Sequence, residues 1–201
     1  LEGHGCLKPE AQEDKRIKLE KEFPQVYDSF HMKELRLEDF ALNQEGPIQR
    51  IIQLKAHELL TEERLEPWEN EPGMASGVNT AKNIVKAAVF ERHLNTGHKG
   101  LGFIGGYGLK RGAVATSVAH DSHNLIVVGV TDEDMLLAAN TVRANRGGLA
   151  VVEDGVVIGQ LPLAIGGIMT DASAEETEET LKALKEKTAL LGVSPDIDAF
   201  M

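Results

Sequence analysis

A histidine next to a carboxylate can take up and release a proton near neutral pH, and this chain concentrates such groups in one place. His120-Asp121-Ser122-His123-Asn124 is its densest polar cluster, set between two apolar runs at 113–119 and 125–130. Burial beside charge shifts pKa values, so the imidazoles and carboxylate of His120, Asp121 and His123 are candidates for a general acid or base. Ser122 and Asn124 are the adjacent hydrogen-bonding groups for a substrate, with Glu91 as a further candidate. The competing structural reading has Asp121 and Asn124 bonding turn amides while the histidines pack or face water.

A metal site is harder to assemble from these residues. His120 and His123 are three apart and would point to opposite faces of a strand, so only a turn could bring them onto one ion. The chain has no His-x-His, His-Glu-x-x-His or Cys-x-x-Cys, and no metal ligand is expected in it. His4, His31, His57, His93 and His98 are scattered among polar neighbours and read as surface residues. Gly105-Gly106-Tyr107-Gly108 with Lys110 lacks the order of a phosphate-binding loop, so close backbone packing explains its glycines better than ligand contact. Glu91-Arg92, at the end of an apolar run, reads as an ion pair or an edge charge.

The elements that must position these residues follow from periodicity and punctuation. A charged stretch at 9–22 reads as a solvated helix or linker, ended by Phe23-Pro24. Residues 33–42 have amphipathic helical spacing, 50–59 read as a strand, and Pro67, Pro72 and Gly73 mark a long loop around Trp68. Residues 84–90 form a buried strand, and the glycine-rich 100–112 segment reads as a loop or tight turn. The runs 113–119 and 125–130 have strand length. Thr131 with Asp134 opens a helix carrying Met135, Ala139 and Val142, which Gly147-Gly148 stops. Asp154-Gly155 is a type I′ hairpin signal between short strands at 149–152 and 156–158. Ser173 with Glu176 caps a final helix whose Leu181, Leu184, Thr188 and Leu191 share a face, ending at Gly192. This order implies an α+β fold, a mixed or antiparallel sheet layer packed with helices and preceded by a charged N-terminal arm. The boundary falls near Leu42, giving an arm at 1–42 and a domain at 43–201.

Composition excludes some partners. With 21 basic and 32 acidic side chains the formal charge is −11, which opposes binding to nucleic acid. The apolar runs are too short to span a bilayer, so no membrane is expected. A lone cysteine, Cys6, allows no intramolecular disulfide and suggests a cytoplasmic protein. The start, Leu1-Glu2-Gly3-His4-Gly5, has neither an initiator Met nor a signal-peptide pattern, and the chain reads as a piece of a longer protein.

One long ordered set of motifs goes further. Residues 105–113 (GGYGLKRGA), 117–124 (SVAHDSHN), 132–135 (DEDM), Gly147-Gly148 and 161–169 (LPLAIGGIM) together resemble the C-terminal signature of bacterial and archaeal adenine deaminases of the amidohydrolase superfamily. The resemblance covers roughly the second half of the chain and is loose before Leu65. It implies hydrolysis of adenine to hypoxanthine and ammonia in purine salvage. It also implies manganese or iron, held by a catalytic barrel domain outside this chain, where the ion lowers the pKa of its bound water. The partners it implies are adenine, the protein's own barrel and a homo-oligomer. The 1–42 arm would be the linker from that barrel and from a small β domain. A piece without the barrel is expected to be inactive alone. Two other readings remain open: a non-catalytic domain for stability or oligomerisation, and a small-ligand binding module using the glycine-rich segment.

Overall fold

A computed structural model describes residues 20–42, 46–58 and 60–200. His4, Cys6 and most of the charged 9–22 stretch lie outside the described residues. The architecture is α+β, as expected: one eight-stranded mixed sheet with a helix on each face. The strands are β1 (Ile48–Gln53), β2 (Glu62–Pro67), β3 (Ile84–Phe90), β4 (Lys99–Gly105), β5 (Ala113–Thr116), β6 (Leu125–Gly129), β7 (Gly148–Glu153) and β8 (Val156–Pro162). The two helices that cover the sheet are α1 (Asp132–Ala144) and α2 (Ala174–Leu190). Across the sheet the order is β2-β1-β4-β3-β6-β5-β7-β8. Every pairing is antiparallel except β1 with β4, where Ile51 lies opposite Phe103 in a parallel seam.

The central strands are apolar on both sides because both sides are covered. Phe90, Ala113, Ala115, Val127, Ala150 and Val152 face α1, which contributes Met135, Ala138, Ala139 and Val142. Alanines on both surfaces let that helix approach closely, and a Cβ at Gly129 would stand 2.4 Å from Met135 Cγ. Val85, Val114, Val128, Leu149, Val151 and Leu161 face the other way, against Leu184 and Leu191 and the segment ending at Phe200. The helix caps are those the sequence indicates. Thr131 Oγ1 accepts from Asp134 N at 3.3 Å, and Ser173 and Glu176 form a reciprocal capping box. Asp134 does not return the bond to the cap; its carboxylate accepts from Gly155 N at 2.8 Å and ties α1 to the β7–β8 turn. That turn has φ of 50° at Asp154 and 74° at Gly155, both positive as a type I′ turn requires.

Three local expectations are corrected. Residues 33–42 are not an α-helix; only Leu37–Phe40 forms a short 3₁₀ turn. The backbone upstream bonds to α1 side chains instead. Asn140 both accepts from Leu35 N and donates to Leu35 O at 3.0 Å, and Arg143 Nε donates to Met32 O at 3.2 Å. This strap buries Phe40 completely, edge-on to Phe90. The first strand is Ile48–Gln53 rather than 50–59. The acidic stretch after it is β2, whose charges pair on the surface, Arg50 with Glu63 and Arg64 with Glu66. Finally, Lys99–Gly105 is a strand despite its glycines. Downstream the glycines are demanded by contact: a Cβ at Gly106 would meet Leu54 O at 2.6 Å, and one at Gly108 would meet Gly192 O at 2.5 Å. Among the described residues no helix is long and apolar enough to cross a membrane.

Candidate functional site: the 120–124 turn and its base

Strand β5 ends at Thr116 and β6 begins at Leu125, so residues 117–124 form the connection between two central strands. Its base is anchored by one buried serine. Ser117 is completely buried; its Oγ donates to Gly167 O at 2.5 Å and accepts from Gly148 N at 2.7 Å. The turn closes when Ser122 N and His123 N both donate to Ala119 O, at 3.0 and 2.8 Å. Two non-glycine residues there have positive φ, Ala119 at 24° and His123 at 51°. Such conformations cost about 1–3 kcal/mol each and persist only where surrounding contacts fix them.

The candidate residues divide into tip and base. His120 and Asp121 are neighbours at the tip, with Nδ1 and Oδ1 3.2 Å apart and side chains 69% and 93% exposed. Ser122 is also exposed; its Oγ accepts from Asn124 N at 3.3 Å. His123 turns inward, and its Nδ1 lies 2.5 Å from Val118 O. A carbonyl can only accept, so Nδ1 carries the proton and the lone pair is left on Nε2. Asn124 Oδ1 is buried and has no partner among the described residues.

Glu91 stands apart from the tip. Its carboxylate accepts from His93 N, Leu94 N, Thr96 N and Thr96 Oγ1, at 2.5 to 3.0 Å, and those bonds hold it well below the usual carboxylate range, at about 2. It organises the β3–β4 connection, which reaches the turn through His93 Nε2, donating to Ser122 O at 3.0 Å. Of the two readings of Glu91-Arg92, an ion pair or an edge charge, the pair between them is absent among the described residues: Glu91 serves that loop while Arg92 turns into the protein. Arg92 is 1% exposed. Its Nε donates to His123 O at 2.5 Å, Nη1 to Ser29 O at 3.0 Å and Nη2 to Gly166 O at 3.1 Å, and its guanidinium lies 4.9 Å from the Phe30 ring centre.

Sequence reasoning missed this convergence. Motif segments that are far apart in the chain, 117–124, Gly147-Gly148 and 166–167, meet at one place. A Cβ at Gly147 would stand 2.4 Å from Gly167 Cα, and one at Gly167 would stand 2.6 Å from Arg92 Nη1. The one available signal was an arginine closing an apolar strand, with its carboxylate neighbour placed to serve another loop. Among the described residues no three His, Cys, Asp or Glu side chains are placed to hold a metal ion.

Comparison with known proteins gives this turn a context. The family model described as "Adenine deaminase C-terminal domain" matches residues 58–201, a span that contains the turn, Arg92, Gly147-Gly148 and Gly166-Gly167. The chain belongs to that family. It is 43% identical over 176 residues to "Adenine deaminase 2" of Carboxydothermus hydrogenoformans, a match covering 88% of this chain and 31% of that protein. The adenine deaminase of Nitratidesulfovibrio vulgaris is 42% identical over 180 residues, covering 89% and 31%. That of Clostridium botulinum strain Loch Maree is 49% identical over 118 residues, covering 57% and 20%. The chain thus spans a third or less of the length of these adenine deaminases.

Proposed function

We propose that this chain is the C-terminal part of an enzyme that hydrolyses adenine to hypoxanthine and ammonia in purine salvage, and that the 120–124 turn closes the adenine pocket. The observation that carries the reading is the turn itself, an imidazole and a carboxylate held outward on a strained, buried base. Replacing the adenine amine by a water oxygen requires protons to move from the water to the leaving ammonia. His120, oriented by Asp121, is the group to carry them at the tip, and His123 Nε2 is a second acceptor behind it. Ser122 and Asn124 would border the purine, with Glu91 supporting them through the loop it organises. Manganese or iron, which the resemblance implies, would be bound by the barrel outside this chain and would activate the attacking water. The partners in this reading are adenine, that barrel and a homo-oligomer, in the cytoplasm, without nucleic acid or membrane.

The test is adenine deamination, with manganese, by this chain alone and then mixed with the separately produced remainder of the enzyme. Activity only after mixing supports the reading, and His120→Ala and Asp121→Ala should then lower kcat. Unchanged kcat and KM in both variants would return the turn to a structural role. A second reading, a non-catalytic domain for stability or oligomerisation, has its own observation. Ile48, Ile52 and Leu65 share one open face of β1 and β2 and are more than half exposed. Activity of the remainder without this chain would favour it.

A further inference from the structure

Arg92 is the one buried cation that meets the candidate turn, and its partners are unusual. A buried arginine normally faces a carboxylate. Here no carboxylate lies within ion-pair distance among the described residues, and the guanidinium spends three donors on backbone carbonyls from three separate segments. Ser29 belongs to the N-terminal strap, His123 to the candidate turn and Gly166 to the connection after β8. Burial without an acid lowers its pKa, a cost the fold accepts at this position. The planar fork explains the choice of residue. It can address three directions at once from a rigid group, which the single ammonium of lysine cannot reproduce. Arg92 also follows β3, which is bonded on both sides by β4 and β6, so the fork is rooted in the middle of the sheet.

We infer that Arg92 is the positioning residue of the 120–124 turn, locking the strained His123 backbone so that the His120–Asp121 tip has one posture. This rests on the reading of the turn proposed above. Phe30 covers the guanidinium on one side, and Gly167 approaches so closely that no side chain fits between them. The three loops are therefore set jointly, and the tip inherits its placement from Arg92 without touching it.

The test is a double-mutant cycle in the intact deaminase that carries this chain. Arg92→Lys should lower kcat on the order of 100-fold, as a misplacement of about 1 Å does, with KM changed by no more than about threefold. Placed on top of His120→Ala, it should cost no more than about a further twofold, because the group it positions is already gone. A loss of the same size in both backgrounds would overturn the inference and make Arg92 a general stabiliser. Gly167→Ala, which pushes on the guanidinium while leaving Arg92 in place, should reproduce the pattern if Arg92→Lys folds poorly. If His120→Ala leaves kcat and KM unchanged, the functional reading fails on its own. Amide exchange of this chain then decides the positioning role. Arg92→Lys should speed exchange at Ser122 and His123 by about tenfold or more while β3 and β6 keep theirs. Uniform acceleration, or none, would overturn it.

Discussion

At the scale of single residues, the loop beside the turn hangs on one carboxylate. Glu91 is drawn from an ordinary 4.5 to about 2 by the four donors it accepts. A depressed carboxylate stabilises above its unfolded pKa, and that contribution is lost as pH falls through the folded value. Between about pH 5 and pH 2, the amides of Leu94 and Thr96 should therefore lose protection before the central strands do. Glu91→Gln should remove that acid dependence, as read by amide exchange. Lys86 poses a different problem. It is fully buried on β3 and reaches Phe40 O and Asp132 Oδ1, the latter at 2.7 Å. Asp132→Ala leaves that ammonium without its acid and should cost roughly 3 kcal/mol in urea unfolding. Adding Lys86→Met should recover at least about 1 kcal/mol, since an apolar chain needs no partner there.

At the scale of elements, glycine separates two situations that look alike in the sequence. Gly112 has φ of +74°, and a Cβ there would lie 2.2 Å from Val152 O, whereas Gly100 on β4 has open space around it. Gly112→Ala should cost at least about 2 kcal/mol in denaturant unfolding, and Gly100→Ala should stay within about 0.5 kcal/mol. Legibility follows the same division. Both helices, the Asp154-Gly155 hairpin and the alanine- and valine-rich strands could be read because their signals are local. β2 was hidden because an edge strand can be charged throughout, and β4 because glycine usually signals a break. The strap has helical spacing but is not a helix, because its partners, Asn140 and Arg143, lie more than 100 residues away. The polar composition of the turn was legible. Its base was not, since Arg92 reaches Gly166 across 74 residues of sequence.

At the scale of the whole molecule, strands β1 and β2 leave three large apolar side chains open on one face. Ile48 is 59%, Ile52 54% and Leu65 58% exposed, and the β1–β2 register puts all three on one side of the sheet. Such a face favours association. Sedimentation of the isolated chain should show self-association that replacing all three with threonine abolishes, with stability changed by no more than about 1 kcal/mol. The single parallel seam has a consequence in time as well as in space. Strands β5 and β6, or β7 and β8, can find each other across short connections, but β1 meets β4 only after a long stretch of chain has been closed into a loop. The β1–β2 ribbon, at one edge of the sheet, is therefore expected to open before its centre, with the amides of β1 exchanging faster than those of β3 and β6. The turn is rooted in β5 and β6, which β4 and β3 separate from β1, so opening of that flank should leave the posture of His120 and Asp121 undisturbed.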